Sequence, residues 1–130
     1  PYAANANKTN PGASALLSRL TTDFNGFLRT RINATAYDGR NYGLVLADDI
    51  VAAIAKVPTS FLSAPANAVD AACASASVLD CVLTDDTTTT TLVAGASGTS
   101  HLWASDRHIG PEVHGRIGQQ MQQRAANNPF

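Results

Sequence analysis

Residues 101–114 read HLWASDRHIGPEVH, in which an apolar and aromatic run leads through a polar cluster to Gly110-Pro111. Proline at the first helical position gives up a backbone N–H that has no partner inside the helix, so this pair predicts a helix start. His108 therefore lies in a loop just before a helix, two residues after Asp106. Because rigidly held loops often carry catalytic side chains, His108 is the first candidate functional residue. The ordinary alternative for a single loop histidine is a surface or capping role.

The part of the chain before residue 60 predicts a helix, a strand and a second helix. Through 11–34, apolar residues recur at steps of three and four, which predicts an amphipathic helix with a buried stripe. The run 42–47, YGLVLA, has no polar alternation and predicts a strand covered on both faces, as in parallel sheets. Asp48 and Asp49 suit the start of a helix that Pro58 ends. The expected buried stripe consists of Leu16, Leu17, Leu20, Phe24, Phe27, Leu28 and Ile32.

This order of elements indicates a fold class. A helix, a buried strand and another helix are typical of an α/β protein and not of a helical bundle. A last amphipathic helix is predicted over 111–125, while the polar residues 1–9 are expected to be extended. Residues 59–100 show little regular pattern, and one strand cannot form a sheet by itself. We therefore expect the parallel neighbours of strand 42–47 to come from residues outside this chain.

Composition excludes several functional classes. At 130 residues the chain has room for one small domain. Nine basic and ten acidic residues leave it almost neutral, without the basic stripe of a nucleic-acid-binding protein or a cationic amphipathic helix for a membrane surface. No apolar run approaches the roughly 18 residues that a transmembrane helix needs. A chain that begins at Pro1, with no visible signal peptide, is expected to be a processed product or a piece of a longer one.

The two cysteines, Cys73 and Cys81, have a spacing that suits neither a zinc knuckle nor a redox pair. In an exported protein this spacing predicts a short disulfide loop, and in a cytosolic protein it predicts two free thiols. The Ala- and Thr-rich composition is typical of bacterial export, so we expect the disulfide and a secreted, periplasmic or cell-surface location. The histidine spacing provides no i, i+4 pair on one helical face, so neither a metal site nor a cofactor is expected.

The stretch around His108 resembles the last conserved block of the SGNH/GDSL family of serine esterases and lipases, in its exported, autotransporter-passenger-like branch. In that block an aromatic-rich segment precedes an aspartate, two further residues, the catalytic histidine and a small or Pro-containing turn. His108 matches the histidine, and His114, Ile117 and Gly118 match the closing helix. One position departs from the pattern, because Ser105 stands where the family usually has its aspartate.

The likeness covers most of the chain as an ordered pattern, although only the histidine block is specific. It implies the SGNH hydrolase fold, a three-layer α/β/α sandwich with a flavodoxin-like parallel sheet. Residues 1–130 would be the C-terminal part of one such domain, supplying its last strand and the flanking helices.

The resemblance also implies a function, that of a carboxylic ester hydrolase with a serine nucleophile. His108 is expected to be the general base, oriented by Asp106, by Ser105 or by a backbone carbonyl. Trp103 and His101 are expected to bind the acyl group of a small-molecule or lipid ester. The family's Gly-Asp-Ser block and its oxyanion Gly and Asn are not found in this sequence. We expect them on an N-terminal segment of the same hydrolase, supplied by another chain.

Two alternatives remain open at this level. The chain could be a small secreted helical binding or structural module without catalysis, in which His108 is incidental. It could also be a complete domain that oligomerises through the apolar run 42–47.

Overall fold

The computed structural model describes residues 1–32, 44–75, 79, 81 and 91–127. Within them, four helices are mixed with a parallel pair of strands, a combination found in α/β proteins. Contacts divide the chain into two compact units, one formed by Val45–Gln120 and the other by Tyr2–Leu44 with Met121–Phe130. The elements in chain order are α1 (Tyr2–Thr9), α2 (Ala13–Ile32), α3 (Ala47–Lys56), a 3-10 turn (Pro58–Ser60), β1 (Asn67–Ala71), β2 (His101–Trp103) and α4 (Pro111–Asn127).

The first unit is built on a small apolar core. Ile54 of α3, Leu62, Leu102 of β2 and Val113 of α4 are buried and pack together. Burying side chains of this size from water is worth about 1.5–3 kcal/mol each. Leu102 and Val113 flank the segment 104–110, so the core holds both ends of the loop that carries His108. Partly buried neighbours complete the core: Ile50, Val51, Phe61, Ala66, Ala68, Trp103, Ile109 and Ile117.

The sheet consists of β1 and β2, which run parallel with Asn67 opposite His101 and Ala71 opposite Trp103. The backbone N–H of Ala72 donates to the Trp103 carbonyl at 2.9 Å, which extends the pairing beyond β1. The indole Nε1–H of Trp103 also donates to the Ala68 carbonyl at 3.1 Å. Strand β1 lies in the segment for which the sequence predicted no regular structure.

The predicted strand at 42–47 is wrong for the described residues. Residues 44–46 form no strand, Ala47 begins α3, and positions 42 and 43 lie outside the described residues. The Val45 carbonyl accepts from the Ala47 N–H at 3.1 Å, and the Leu46 carbonyl accepts from the Ile50 N–H at 3.4 Å. The Leu46 carbonyl therefore closes the first turn of α3, and the Val45 carbonyl accepts within the turn that leads into it. The helix predicted after Asp48 and Asp49 is present.

The second unit contains a helical hairpin of α1 and α2. Residues 1–9 were expected to be extended, but Tyr2–Thr9 form α1 instead. The Asn7 side-chain Oδ1 accepts from the Gly12 N–H at 2.9 Å, and Gly12 has a φ of 95°, which glycine adopts without strain. This contact stabilises the tight turn between the two helices.

Helix α2 confirms the predicted helix, but most of its apolar stripe is exposed. The exposed fractions are 57% for Leu16, 54% for Leu20, 65% for Phe24 and 60% for Phe27. The reason lies in its neighbour, since α1 is short and polar and has no buried residue. A helix of that composition offers no apolar face to cover the stripe.

Cys73 and Cys81 form a disulfide with a Cα–Cα distance of 5.6 Å, as the spacing predicted. Cys73 is buried, and its backbone N–H donates to the Ala104 carbonyl at 2.9 Å. The bridge is therefore attached to the start of the His108 loop. No helix in the described part of the chain has the length and apolar character needed to cross a membrane.

Candidate functional site

His108 lies in a tight loop that connects β2 to α4. The Ala104 N–H donates to the His108 carbonyl at 2.8 Å, and the Gly110 N–H donates to the Leu102 carbonyl at 2.8 Å. Between these bonds, Trp103 and Ile109 form an antiparallel bridge. The chain thus doubles back on β2, and backbone hydrogen bonds hold both arms of the loop.

The His108 imidazole is exposed and oriented by Ser105. The Ser105 hydroxyl Oγ lies 2.8 Å from His108 Nδ1, while Ser105 itself is 2% exposed. The same oxygen accepts from the His108 N–H at 3.2 Å and from the Arg107 N–H at 3.3 Å. Within the described residues no hydrogen bond reaches His108 Nε2, so the outer edge of the ring is accessible. Ser105 was one of three groups that the sequence left open for this role.

The Asp106 carboxylate pairs with Arg107 and not with the imidazole. Its Oδ2 lies 3.6 Å from Arg107 Nε, and among the described residues it forms no hydrogen bond with His108. The sequence offered Asp106 as the orienting carboxylate, whereas the structure places Ser105 on Nδ1. The physical reason is the turn at 105–108, which brings residues three apart in sequence together, so Ser105 and not Asp106 faces the ring.

His101 is buried at the start of β2, with its Nδ1 2.8 Å from the Ser100 hydroxyl Oγ. Burial lowers the pKa of His101 below the ordinary 6.5, and the negative charge of Asp70 partly opposes this effect. The ring is therefore neutral at pH 7 and held by Ser100, which is itself fully buried. Ser100 has no sequence motif that would have revealed this role. A position facing an acyl group remains a prediction for His101.

Trp103, for which a place beside an acyl group remains a prediction, and His114 both have structural contacts. Trp103 is half-buried and joins β2 to β1 through its indole N–H. His114 Nδ1 lies 3.1 Å from the carbonyl oxygen of Gly110, the residue just before α4. No group of three His, Cys, Asp or Glu side chains suited to a metal ion occurs among the described residues.

Gly110 allows the close approach of the loop to β2. A Cβ at this position would lie 2.6 Å from the His101 carbonyl oxygen and 3.5 Å from the Leu102 carbonyl oxygen. Both are backbone atoms that cannot move aside without separating the loop from the strand. Sequence analysis identified Gly110-Pro111 as a helix start but had no means of detecting this contact.

We predict that Gly110→Ala will destabilise the protein by about 1–3 kcal/mol, the usual cost of forcing atoms into a packed site. Urea unfolding followed by circular dichroism measures this change. Gly118→Ala is the matched control, because a Cβ there meets nothing within 4 Å and alanine favours the helix by up to about 1 kcal/mol. Equal stability of Gly110→Ala and the unsubstituted protein would contradict the close approach.

An exposed imidazole with one nitrogen held and the other accessible can exchange protons or hydrogen bonds with a bound group. No family model matches the chain, and no curated protein or solved structure shows significant similarity to it.

Proposed function

We propose that this chain is the histidine-bearing, C-terminal part of a carboxylic ester hydrolase of the SGNH type. The observation that carries the proposal is the accessible His108 ring. Its Nδ1 is held by Ser105, which stands where the family pattern has its orienting carboxylate. In the proposed fold, β1 and β2 belong to the larger parallel sheet of a three-layer sandwich. The serine nucleophile and the oxyanion Gly and Asn lie on an N-terminal segment outside this chain.

The proposed reaction proceeds in two steps. His108 Nε2 removes the hydroxyl proton of the serine as its oxygen bonds to the ester carbonyl carbon, and the oxyanion donors stabilise the negative oxygen. The imidazolium then gives that proton to the alkoxide that leaves as the alcohol. In the second step His108 removes a proton from water as the water oxygen bonds to the acyl carbon, and the imidazolium then returns that proton to the serine oxygen as the acid is released. Ester hydrolysis of this kind requires no cofactor.

The test is reconstitution with the missing segment. We would express the chain together with the polypeptide encoded directly before it, as one chain or as two, and add a fluorophosphonate probe. The proposal predicts one labelled serine in the upstream segment and hydrolysis of p-nitrophenyl butyrate. Absence of both a labelled serine and hydrolysis, in a preparation with a cooperative thermal melt, would contradict it.

A non-catalytic secreted binding or structural module is the second candidate. It is favoured by the exposed apolar side chains of α2, because large apolar patches on a surface often mark interactions. The Cys73–Cys81 bridge is compatible with export under both proposals. Reconstitution separates them, since a module would show no hydrolysis with any upstream segment.

A further inference from the structure

The hydrogen bonds of the Ser105 hydroxyl determine where its own hydrogen points. A hydroxyl group has one hydrogen to donate and two lone pairs that accept. The backbone N–H groups of Arg107 and His108 both donate to Oγ, so they use its two lone pairs. The hydroxyl hydrogen is then left for His108 Nδ1, which lies 2.8 Å from Oγ, a normal distance for such a bond.

A donating hydroxyl requires that Nδ1 be an acceptor, which means that Nδ1 carries no proton. A neutral imidazole has one ring proton, so that proton must be on Nε2. We propose that Ser105 is a positioning residue that holds neutral His108 as the Nε2–H tautomer. In the isolated chain the accessible edge of His108 is therefore a hydrogen-bond donor, suited to an oxygen acceptor such as a carbonyl or a carboxylate.

This tautomer has a consequence for the proposed hydrolase, and the consequence rests on that proposal. A nitrogen that already carries a proton cannot accept one from a serine. His108 becomes a base at Nε2 only after its proton moves to Nδ1, and Ser105 Oγ would then have to accept a third N–H. The isolated chain thus holds its histidine in a resting form, and the complete enzyme must favour the other tautomer for turnover.

His114 provides an internal comparison within the same molecule. Its Nδ1 lies 3.1 Å from the Gly110 carbonyl oxygen, which also accepts from the Val113 and His114 N–H groups but, unlike a hydroxyl, has no hydrogen to donate. Neutral His114 is therefore the Nδ1–H tautomer, opposite to His108. The tautomer of His101 is not determined in this way, because the Ser100 hydroxyl can donate either to the His101 ring or to the Ser97 carbonyl.

Two-bond ¹H–¹⁵N correlation spectra of the ¹⁵N-labelled chain test the assignment, because protonated and unprotonated ring nitrogens differ strongly in ¹⁵N shift. Spectra would be recorded near pH 8.5, well above the ordinary imidazole pKa of about 6.5. We expect the shift of an unprotonated nitrogen at His108 Nδ1 and of a protonated one at Nε2, with the reverse pattern at His114. A proton on Nδ1 of His108, or equal populations of its two tautomers, would overturn the proposal.

Two variants test whether Ser105 determines the tautomer of His108. Ser105→Ala removes the donor, so His108 should move toward the mixed tautomers of a free imidazole while His114 remains unchanged. Ser105→Asp substitutes a group that only accepts and should shift His108 to Nδ1–H; if the alanine variant does not fold, this variant still decides. An unaltered His108 spectrum in a folded variant would refute the role of Ser105. No ester is present in these measurements, so their failure is distinct from failure of the proposed hydrolase.

Discussion

Replacing His108 with alanine in the reconstituted protein is expected to reduce kcat/KM for p-nitrophenyl butyrate by several orders of magnitude. For an enzyme in which serine and histidine act as a unit, loss of the imidazole costs on the order of 10⁶-fold in turnover. The physical reason is that an unassisted serine hydroxyl remains protonated and is a weak nucleophile at neutral pH. Initial rates measured across substrate concentrations give this value directly.

The fold should tolerate this change, because the His108 side chain is exposed and outside the core. His114→Ala is the matched control: it removes an exposed imidazole six residues away, and its cost is expected to stay within about 0.5 kcal/mol. Both variants should melt within a few degrees of the unsubstituted protein. Retention of most activity by His108→Ala would mean that this chain is not the histidine-bearing part of a hydrolase.

The second large effect is an increase in turnover, which we expect from Ser105→Asp in the same reconstituted protein. A carboxylate can still accept the two backbone N–H groups that bind Ser105 Oγ, and it only accepts from His108 Nδ1. It should therefore favour the Nδ1–H tautomer and stabilise the imidazolium that forms during the reaction. Because the wrong tautomer costs about 10⁴-fold in a serine protease triad, we expect turnover to rise, with about 10⁴-fold as the upper limit.

Ser105→Asn is the control for shape. Asparagine has nearly the same size as aspartate, but its amide can donate to Nδ1 and so retain the Nε2–H tautomer. Turnover of this variant should stay at or below the level of the unsubstituted protein. If Ser105→Asp were no faster than Ser105→Asn, the tautomer of His108 would not limit the reconstituted enzyme, and the gain predicted here would be refuted.

The sequence predicted local elements well where one feature decided them. Pro111 has no backbone N–H to lose, and α4 begins there. Asp48 and Asp49 occupy the first turn of α3, as acidic residues at a helix N-terminus should. The two strands could not be predicted in this way. β2 has three residues, and both strands depend on pairing between segments about thirty residues apart.

The apolar run 42–47 shows why composition alone was misleading. A short apolar run cannot be assigned to a strand or to a buried helix start by periodicity. In the structure the Val45 and Leu46 carbonyls accept from N–H groups of α3, so the described part of the run leads into that helix. For the apolar stripe on α2, the secondary structure was predicted correctly and the burial was not. Its helical spacing was correct, but burial depends on a partner surface that a helix's own sequence does not contain.

For the candidate site, the sequence by itself determined that His108 stands in a loop before a helix, with Ser105 three residues before it. Those conclusions follow from residue identity and spacing, which are local properties. Only the tertiary structure decided which neighbour contacts the imidazole. Packing of Leu102 and Val113 in the core and the close approach of Gly110 to His101 bring the loop back over β2. Within that turn Ser105 is directed inward at the ring while Asp106 pairs with Arg107, because side-chain direction depends on how the backbone is held.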